Sequence, residues 1–224
     1  MSFSRRNVVI IGSSGHARVV IDILEQSTTL NLVGLLDDFR NTGDLTDGYR
    51  VLGKTEDLPV IAKSHGVDAA FVAVGDNWAR HCVVERIANI IPSIKFPAVI
   101  HPRACIASTA KIEDGCMIMA NAVICSGSHL KRFCIVNTAA TLDHDGVMEE
   151  FSSLAPGVHT GGNVQIGTYS SVSIGATIIQ GRKIGEHCVI GAGAVVIKDI
   201  PDYSLALGVP AKAVRQREPG ECYL

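Results

Sequence analysis

The sequence predicts a small α/β domain followed by a solenoid of short parallel strands. Two observations lead to this prediction: an apolar strand, a glycine turn and a helix near the amino terminus, and a six-residue hydrophobic repeat over 100–196. Neither a helical face nor an alternating strand repeats every six residues, so the backbone must form a short strand and a corner and then repeat both. We therefore expect 1–96 and 97–224 to form separate domains.

The first domain reads as alternating strands and helices. Each predicted strand is a continuous apolar run, and each predicted helix has apolar residues at helical spacing. The predicted strands are 7–11, 32–36, 69–74 and a last one just before Pro97, and the predicted helices are 17–24 and 78–90.

The turn after the first strand predicts a phosphate site at Gly12, Ser13, Gly15 and His16. Glycines let the backbone approach an anion closely, and the following helix offers unpaired N–H groups at its N-terminus. The turn lacks the middle glycine of G-x-G-x-x-G, and the domain lacks a second mononucleotide-binding half. A single sugar nucleotide is therefore favoured over NAD, and the alternative is a turn that binds no ligand.

Two acidic residues, Asp37 and Asp38, end the second predicted strand. Doubly wound folds place an acid at this point against a ribose hydroxyl. We therefore expect the base and ribose of the nucleotide near this pair.

An aliphatic residue stands at every sixth position from Ile100 to Val196, with Thr160 as the one exception. A second column, four residues after the first, is nearly all small. We expect the aliphatic column to fill the interior and the small column to occupy the corners, so that each repeat buries its apolar face only against its neighbours. Three of the seven cysteines lie in the small column and are interpreted as reduced packing residues: Cys116, Cys134 and Cys188.

The composition limits the partners. A net charge of -2 without a long basic run argues against nucleic acid or an anionic membrane surface as the main partner. The chain has no long apolar stretch and no cleavable signal pattern, so we expect it to be cytoplasmic. The cysteines have no clustered spacing such as C-x-x-C, so the sequence does not predict a metal site.

One histidine has the surroundings of a general base. His144 lies between Asp143 and Asp145, and an acid partner can orient an imidazole and keep it basic. The alternative is a surface histidine with acids nearby. We expect three other histidines to be solvated surface residues: His101, His129 and His187.

The six-residue column, the GSSGH turn, Asn137 ahead of the His-acid pair, the glycines of 161–163 and the closing GVPAK together resemble the bacterial sugar O- and N-acetyltransferases. These are left-handed parallel β-helix enzymes with a Rossmann-like N-terminal domain. The resemblance covers essentially the whole chain. It is closest to the N-acetyltransferases that act on nucleotide-linked 4-amino-4,6-dideoxy sugars, namely the UDP-4-amino-sugar enzymes of bacillosamine synthesis and GDP-perosamine N-acetyltransferase.

The resemblance implies a homotrimer that uses acetyl-CoA and no metal, with the coenzyme in the groove between adjacent β-helices. It implies His144 as the general base and Asp145 as its acid partner, which is Glu in some members. The residues implied for the sugar nucleotide are Gly12, Ser13, Gly15, His16, Asp37, Asp38 and Asn137. Those implied for acetyl-CoA are Gly162, whose N–H meets the thioester oxygen, and Ile174, Ala192 and Lys212.

These roles predict direct attack of a sugar 4-amine on the thioester, with His144 as the proton acceptor. The sialic acid O-acetyltransferases, which the chain also resembles, provide the alternative of hydroxyl acetylation. Two further alternatives from other classes are a non-catalytic nucleotide-binding β-helix protein and an oxidoreductase using NAD at the glycine turn.

Overall fold

The computed structural model describes residues 5–223, which divide into two compact units at the border between Val99 and Ile100. The first unit is an α/β domain and the second is a left-handed parallel β-helix, so the predicted fold class is confirmed. No helix within this described range has the length and hydrophobicity that a bilayer span requires.

The first unit is one sheet with helices. Its strands are β1 (Arg6–Ile11), β2 (Leu30–Leu36), β3 (Leu45–Thr46), β4 (Tyr49–Gly53) and β5 (Val67–Val72), and its helices are α1 (Gly15–Glu25), α2 (Leu58–His65) and α3 (Asn77–Ile90). The strand order is β3-β4-β2-β1-β5, and every pairing except β3 with β4 is parallel. The central strand β1 is therefore covered on both edges, and Val8 to Ile10 are fully buried.

The β3–β4 hairpin was not predicted from the strand and helix patterns, although the sequence contains a signal for it. Asp47 and Gly48 join the two strands, and both have positive φ, at 44° and 86°. An Asp-Gly pair with two positive φ angles is the preferred two-residue connection of a hairpin. This hairpin brings Asp47 to the turn that precedes α1, where it forms an ion pair with Arg18.

The strand predicted just before Pro97 is wrong: only Lys95 pairs there, in a single bridge with Ala69. The chain enters from a turn in which the Ile94 N–H donates to the carbonyl of Ile91. Pro97 has no N–H to donate to a strand pairing. Too few residues therefore remain between the turn and Pro97 to form a longer strand.

The β-helix begins with 17 strands of two residues, spaced six apart. They are β6 (Val99–Ile100), β7 (Cys105–Ile106), β8 (Lys111–Ile112), β9 (Met117–Ile118), β10 (Val123–Ile124), β11 (His129–Leu130), β12 (Ile135–Val136), β13 (Thr141–Leu142), β14 (Val147–Met148), β15 (Ser153–Leu154), β16 (His159–Thr160), β17 (Gln165–Ile166), β18 (Ser171–Val172), β19 (Thr177–Ile178), β20 (Lys183–Ile184), β21 (Val189–Ile190) and β22 (Val195–Val196). The longer β23 (Ser204–Leu207) and β24 (Lys212–Gln216) follow.

Three strands make one coil, and each strand pairs with the strand 18 residues further on. The result is three sheets, in which every pairing is parallel except that of β23 with β24. The first face runs β6-β9-β12-β15-β18-β21-β23-β24, the second runs β7-β10-β13-β16-β19-β22, and the third runs β8-β11-β14-β17-β20. The aliphatic column is the second residue of every two-residue strand, and it is buried from Ile118 to Val196. Its first three members belong to the first coil and are less buried, and Ile100 is 40% exposed.

The corners add a third column that the sequence pattern did not predict. A residue with positive φ stands at every sixth position from Gly115 to Gly193, directly before each member of the second column. More than half of these corner residues are not glycine, although this conformation favours glycine. From Phe133 onward their N–H groups donate to a carbonyl of the preceding coil, as Asp145 does to Ser126 at 2.9 Å, and this bond offsets the strain.

At the corner between the third and first faces, aromatic side chains stack from coil to coil. Ring centroids lie 4.7 to 5.8 Å apart along Phe133, Phe151, Tyr169, His187 and Tyr203. The expected solvated surface position of His187 is therefore wrong, and burial lowers the pKa of its imidazole. The same expectation is wrong for His101, which is buried and accepts the Arg103 N–H, and for His129, which is half-buried 2.6 Å from Glu113.

Two adjacent isoleucines test the assignment of the interior. Ile178 is fully buried in the aliphatic column, whereas Ile179 is 42% exposed at the next corner. Ile178→Ala leaves a cavity, so we expect it to lower the free energy of unfolding by about 2–5 kcal/mol, and Ile179→Ala by less than about 1 kcal/mol. Chemical denaturation of both variants measures the difference, and equal losses would contradict the inward direction of the column.

Candidate active site

His144 lies at the corner between the second and third faces, just after β13. Its side chain is 47% exposed, and Nδ1 lies 2.9 Å from Oδ2 of Asp145. A carboxylate only accepts hydrogen bonds, so Nδ1 carries the proton in this contact. Nε2 is then the ring nitrogen that can accept a proton from a ligand.

Asp145 reaches the imidazole although it is one methylene shorter than Glu. It is a corner residue with φ of 57°, and this conformation sets the direction in which its short side chain leaves the backbone. Gly127 lies one coil earlier, and a Cβ there would overlap Oδ1 of Asp145. The carboxylate thus fits beside His144 because the residue below it has no side chain.

Gly162 leaves room for the imidazole of His144, as Gly127 does for the carboxylate of Asp145. It lies one coil after His144, and a Cβ there would overlap the ring at Nε2. The Asn163 N–H donates to the His144 carbonyl at 2.8 Å, which fixes the two coils against each other. Within residues 5–223 no acceptor bonds the Gly162 N–H. A proton acceptor and an unused N–H donor therefore meet at one corner.

The acids around His144 favour its charged form. The hydrogen bond to Asp145 raises the pKa of the imidazole, slight burial opposes this, and the charges of Asp143 and Asp145 raise it further. Asp143 also accepts the His144 N–H at 2.7 Å through Oδ1. Both neighbours predicted from the sequence therefore contact His144, one at its side chain and one at its backbone.

Three further β-helix residues of the predicted site lie at the opposite border of the second face. Ile174 and Ala192 are exposed and stacked one coil apart at the corner with the first face, where the Gly193 N–H donates to the Ile174 carbonyl. Asn137 lies at the same corner, just after β12, and its Oδ1 accepts the Thr138 N–H at 2.7 Å. A single chain therefore does not bring these three residues together with His144.

Lys212, the last residue implied for the coenzyme, lies at the start of β24 and is exposed. It pairs with Leu207 of β23 through the backbone, so its ammonium group is not needed by the fold. Among residues 5–223, no group of three or more His, Cys, Asp or Glu side chains is arranged to hold a metal ion.

The glycine turn of the first unit borders a cleft of about 350 Å³. Ser13 to Gly15, Arg18, Arg40 and the tip of the β3–β4 hairpin line it. Gly15 leaves open space at the start of α1, because an added Cβ would meet nothing within 4 Å. Gly12 serves the fold instead: its φ is 97°, and an added Cβ would lie 3.0 Å from the Ala73 carbonyl oxygen.

His16 is not among the residues that line this cleft. Burial, followed by the charge of Arg80, lowers the pKa of its imidazole to about 4. Its buried Nε2 has no hydrogen-bond partner in the part of the chain that the structure describes. His16 is therefore neutral at pH 7.

The acid pair is already engaged within the first unit. Asp37 accepts the Ser13 hydroxyl at 2.6 Å and the N–H groups of Phe39 and Arg40. Burial raises the pKa of Asp37, but these hydrogen bonds outweigh it and lower the pKa below its usual range. The carboxylate thus orders the loop that follows β2.

Asp38 holds a different part of the same unit. It accepts the Thr55 N–H at 2.9 Å and pairs with Arg86 at 2.6 Å. Burial raises its pKa, and the bonds to Thr55 and Arg86 overcome this effect and lower it. Both carboxylates are therefore ionised and fixed before any ligand is bound.

Sequence reasoning missed the two cations of the cleft. Arg18 lies in the first turn of α1, and Arg40 follows the acid pair. Each has an acid partner, Asp47 for Arg18 and Asp44 for Arg40, in pairs that are partly solvent-exposed. An arginine three residues after the last glycine of a strand-turn-helix is a usable sequence signal for an anion site, because it lies in the first turn of the helix, beside the glycine turn.

Comparison with known proteins agrees with this architecture. The family model described as the PglD N-terminal domain matches residues 7–87. A variant of GDP-perosamine N-acetyltransferase from Caulobacter crescentus, solved with CoA and GDP-perosamine, is 31% identical, with a TM-score of 0.89 over 96% of this chain and 100% of that chain. The acetyltransferase domain of PglB from Neisseria gonorrhoeae FA1090, solved with acetyl coenzyme A, is 36% identical, with a TM-score of 0.85 over 94% of this chain and 100% of that chain.

Curated relatives match over shorter segments. The dTDP-3-amino-3,6-dideoxy-alpha-D-galactopyranose 3-N-acetyltransferase of Aneurinibacillus thermoaerophilus is 49% identical over 43 residues, which is 19% of this chain and 22% of that protein. The putative acetyltransferase SACOL2570 of Staphylococcus aureus strain COL is 47% identical over 68 residues, which is 30% of this chain and 31% of that protein. The chain thus spans about a third or less of these relatives. The two structural matches, which cover nearly all of this chain and all of each matched chain, show that it belongs to the hexapeptide-repeat family of sugar N-acetyltransferases.

Proposed function

We propose that this protein transfers the acetyl group of acetyl-CoA to the 4-amino group of a nucleotide-linked dideoxy amino sugar. The observation that carries the proposal is the corner at which Nε2 of His144, oriented by Asp145, lies against the backbone of Gly162. The relatives solved with CoA and GDP-perosamine or with acetyl coenzyme A support the two substrate classes.

In this reaction His144 acts as the general base. Nε2 accepts a proton from the sugar amine as the nitrogen attacks the thioester carbonyl carbon. Asp145 holds the Nδ1 proton at 2.9 Å, so the imidazole stays in the tautomer that the step requires. The carboxylate also stabilises the imidazolium that forms.

Gly162 supplies the complementary donor. Its unused N–H meets the negative charge that develops on the thioester oxygen, and a fixed backbone donor needs no reorganisation during the reaction. The bond from carbon to sulfur then breaks, and the imidazolium returns its proton to the departing thiolate. No covalent intermediate on the protein is required, because an uncharged amine is already a good nucleophile.

The residues present fit an acyl-CoA donor and a sugar nucleotide. Exposed Ile174 offers an apolar surface for a coenzyme arm, and the exposed ammonium group of Lys212 suits a phosphate. In the first unit, the open space at Gly15 and the guanidinium groups of Arg18 and Arg40 suit a diphosphate. These two sets of residues support the assignment of one substrate to each unit.

We also propose a homotrimer. Asn137, Ile174 and Ala192 lie at one border of the second face and His144 lies at the other. A second copy that places its Asn137, Ile174 and Ala192 beside the His144 of the first would bring all of these residues together. A closed ring of three copies would then have three such sites, one at each contact between copies.

The first test separates nitrogen from oxygen as the acceptor. We expect thiol release when the protein is incubated with acetyl-CoA and a UDP-, GDP- or dTDP-linked 4-amino-4,6-dideoxy sugar. The matched 4-hydroxy sugar nucleotide should give none, because a hydroxyl must lose its proton during attack whereas an amine is already nucleophilic. Thiol release with the hydroxyl compound alone would replace this function by O-acetylation.

His144→Ala should lower kcat by a factor of about 10² to 10⁴, since general base catalysis contributes this much. Steady-state kinetics with acetyl-CoA and the amino sugar measure the loss. His65→Ala is the control, because His65 is an exposed residue at the end of α2, outside the proposed site. Wild-type turnover in His144→Ala would show that the base has been assigned to the wrong residue.

Asp145→Asn should move the acid limb of the kcat/KM profile to lower pH. The hydrogen bond to Asp145 raises the pKa of His144, so its loss lowers that pKa and leaves the imidazole neutral in more acidic solution. We expect the rate on the plateau to fall by about 10-fold, because the weaker base accepts the proton less readily. A limb that moves to higher pH, or does not move, argues against the pairing.

A further inference from the structure

Thr160 is the one polar residue in the aliphatic column, and its side chain is buried, at 8% exposed. A hydroxyl in an apolar interior is unfavourable unless it is hydrogen-bonded. An aliphatic residue fills every other position of the column, so packing alone does not explain the exception. The partner of the hydroxyl group is therefore informative.

That partner is the backbone of the neighbouring coil. Oγ1 of Thr160 accepts the Asp143 N–H at 3.0 Å. In the flanking coils the equivalent N–H donates to the main-chain carbonyl of the column residue, as Cys125 does to Leu142 at 2.9 Å and Gly161 does to Ile178 at 2.8 Å. A side chain thus replaces the backbone acceptor in this coil.

The ladder changes at the same place. β13 and β16 share one residue pair, Thr141 with His159. The pairings on either side, β10 with β13 and β16 with β19, each have two. The regular stacking of the second face is therefore interrupted at the carboxyl ends of β13 and β16.

The two residues of the proposed catalytic corner, His144 and Gly162, lie just after this interruption in the chain. Asp143, which donates to Thr160, immediately precedes His144, and Gly162 comes two residues after Thr160. The imidazole lies so close to Gly162 that no Cβ fits between them. A small change in the spacing of these two coils would alter the distance between the base and the N–H donor.

We propose that Thr160 is a positioning residue for the acetyl transfer reaction. Its hydroxyl holds the Asp143 amide out of the regular ladder and so sets the position of the His144 imidazole over the Gly162 backbone. The residue acts from the interior and does not touch substrate. This inference rests on the proposed function and adds a residue to it.

An aliphatic side chain at position 160 would complete the column. Thr160→Val keeps the shape of the side chain but removes the acceptor, so the Asp143 N–H is expected to return to the main-chain carbonyl. Such a variant should fold at least as well as the wild type, because a buried polar group is replaced by an apolar one. Functional sites often depart in this way from the most stable sequence.

The experiment compares Thr160→Val with Thr160→Ser, which keeps the hydroxyl, and with Ile166→Val, which alters the next residue of the column without touching a hydroxyl. For Thr160→Val we expect kcat to fall by about 10- to 100-fold, the size of effect that misplacement of a reacting group produces. The KM for acetyl-CoA should stay within about twofold, and Tm should be equal or higher. Thr160→Ser and Ile166→Val should keep kcat within about threefold of the wild type.

Wild-type kcat in Thr160→Val would overturn the inference. So would a loss in Thr160→Ser as large as that in Thr160→Val, or a fall in Tm that accompanies the loss of turnover. The imidazole nitrogen shifts of His144, measured by NMR without substrate, should change in Thr160→Val and not in Thr160→Ser. If the wild type transfers no acetyl group, the proposed function fails, and these shifts still decide the positioning role.

Discussion

Main-chain hydrogen bonds between strands that are paired 18 positions apart are the constraint on which the β-helix depends. Two-residue strands are too short to be stable alone, and each is held by a strand of the coil before and the coil after. The chain can return to the next strand only if each corner turns tightly, and the positive φ of the corner residues provides that turn. Any side chain at a corner therefore has close neighbours one coil away in both directions.

The corner that holds His144 uses these neighbours. Gly127 below makes room for the carboxylate of Asp145, and Gly162 above makes room for the imidazole of His144. Within residues 5–223, the corner also leaves the Gly162 N–H without an acceptor. The same backbone geometry that closes the coil thus supplies both the space for the imidazole and an N–H group beside it.

The sequence predicted the features that depend on periodicity. The inward column, the small corner residues and the α/β order of the first unit all follow from spacing, and each is present in the structure. Features that depend on contacts between distant residues were missed: the aromatic stack at one corner, the burial of His101 and the two arginines of the first cleft. The strand expected before Pro97 failed because a turn and a proline leave only Lys95 to pair.

For the candidate site, the sequence predicted the contact between His144 and its acid neighbour because an imidazole between two carboxylates is a local pattern. It could not show that Asp145 is long enough to reach Nδ1, since that depends on a corner conformation and on a glycine one coil away. Nor could it show that Asp37 and Asp38 are already bonded within their own unit, because their partners come from other elements.

The 18-residue coil also governs which changes in chain length the β-helix can accept. Removal of one whole coil keeps every later strand on its own face and every corner in its own column. Removal of a single six-residue repeat preserves the hydrophobic pattern but moves each later residue back to the preceding face. A six-residue deletion between His144 and Gly162 would place these two residues at different corners, whereas a deletion outside this coil would leave them aligned.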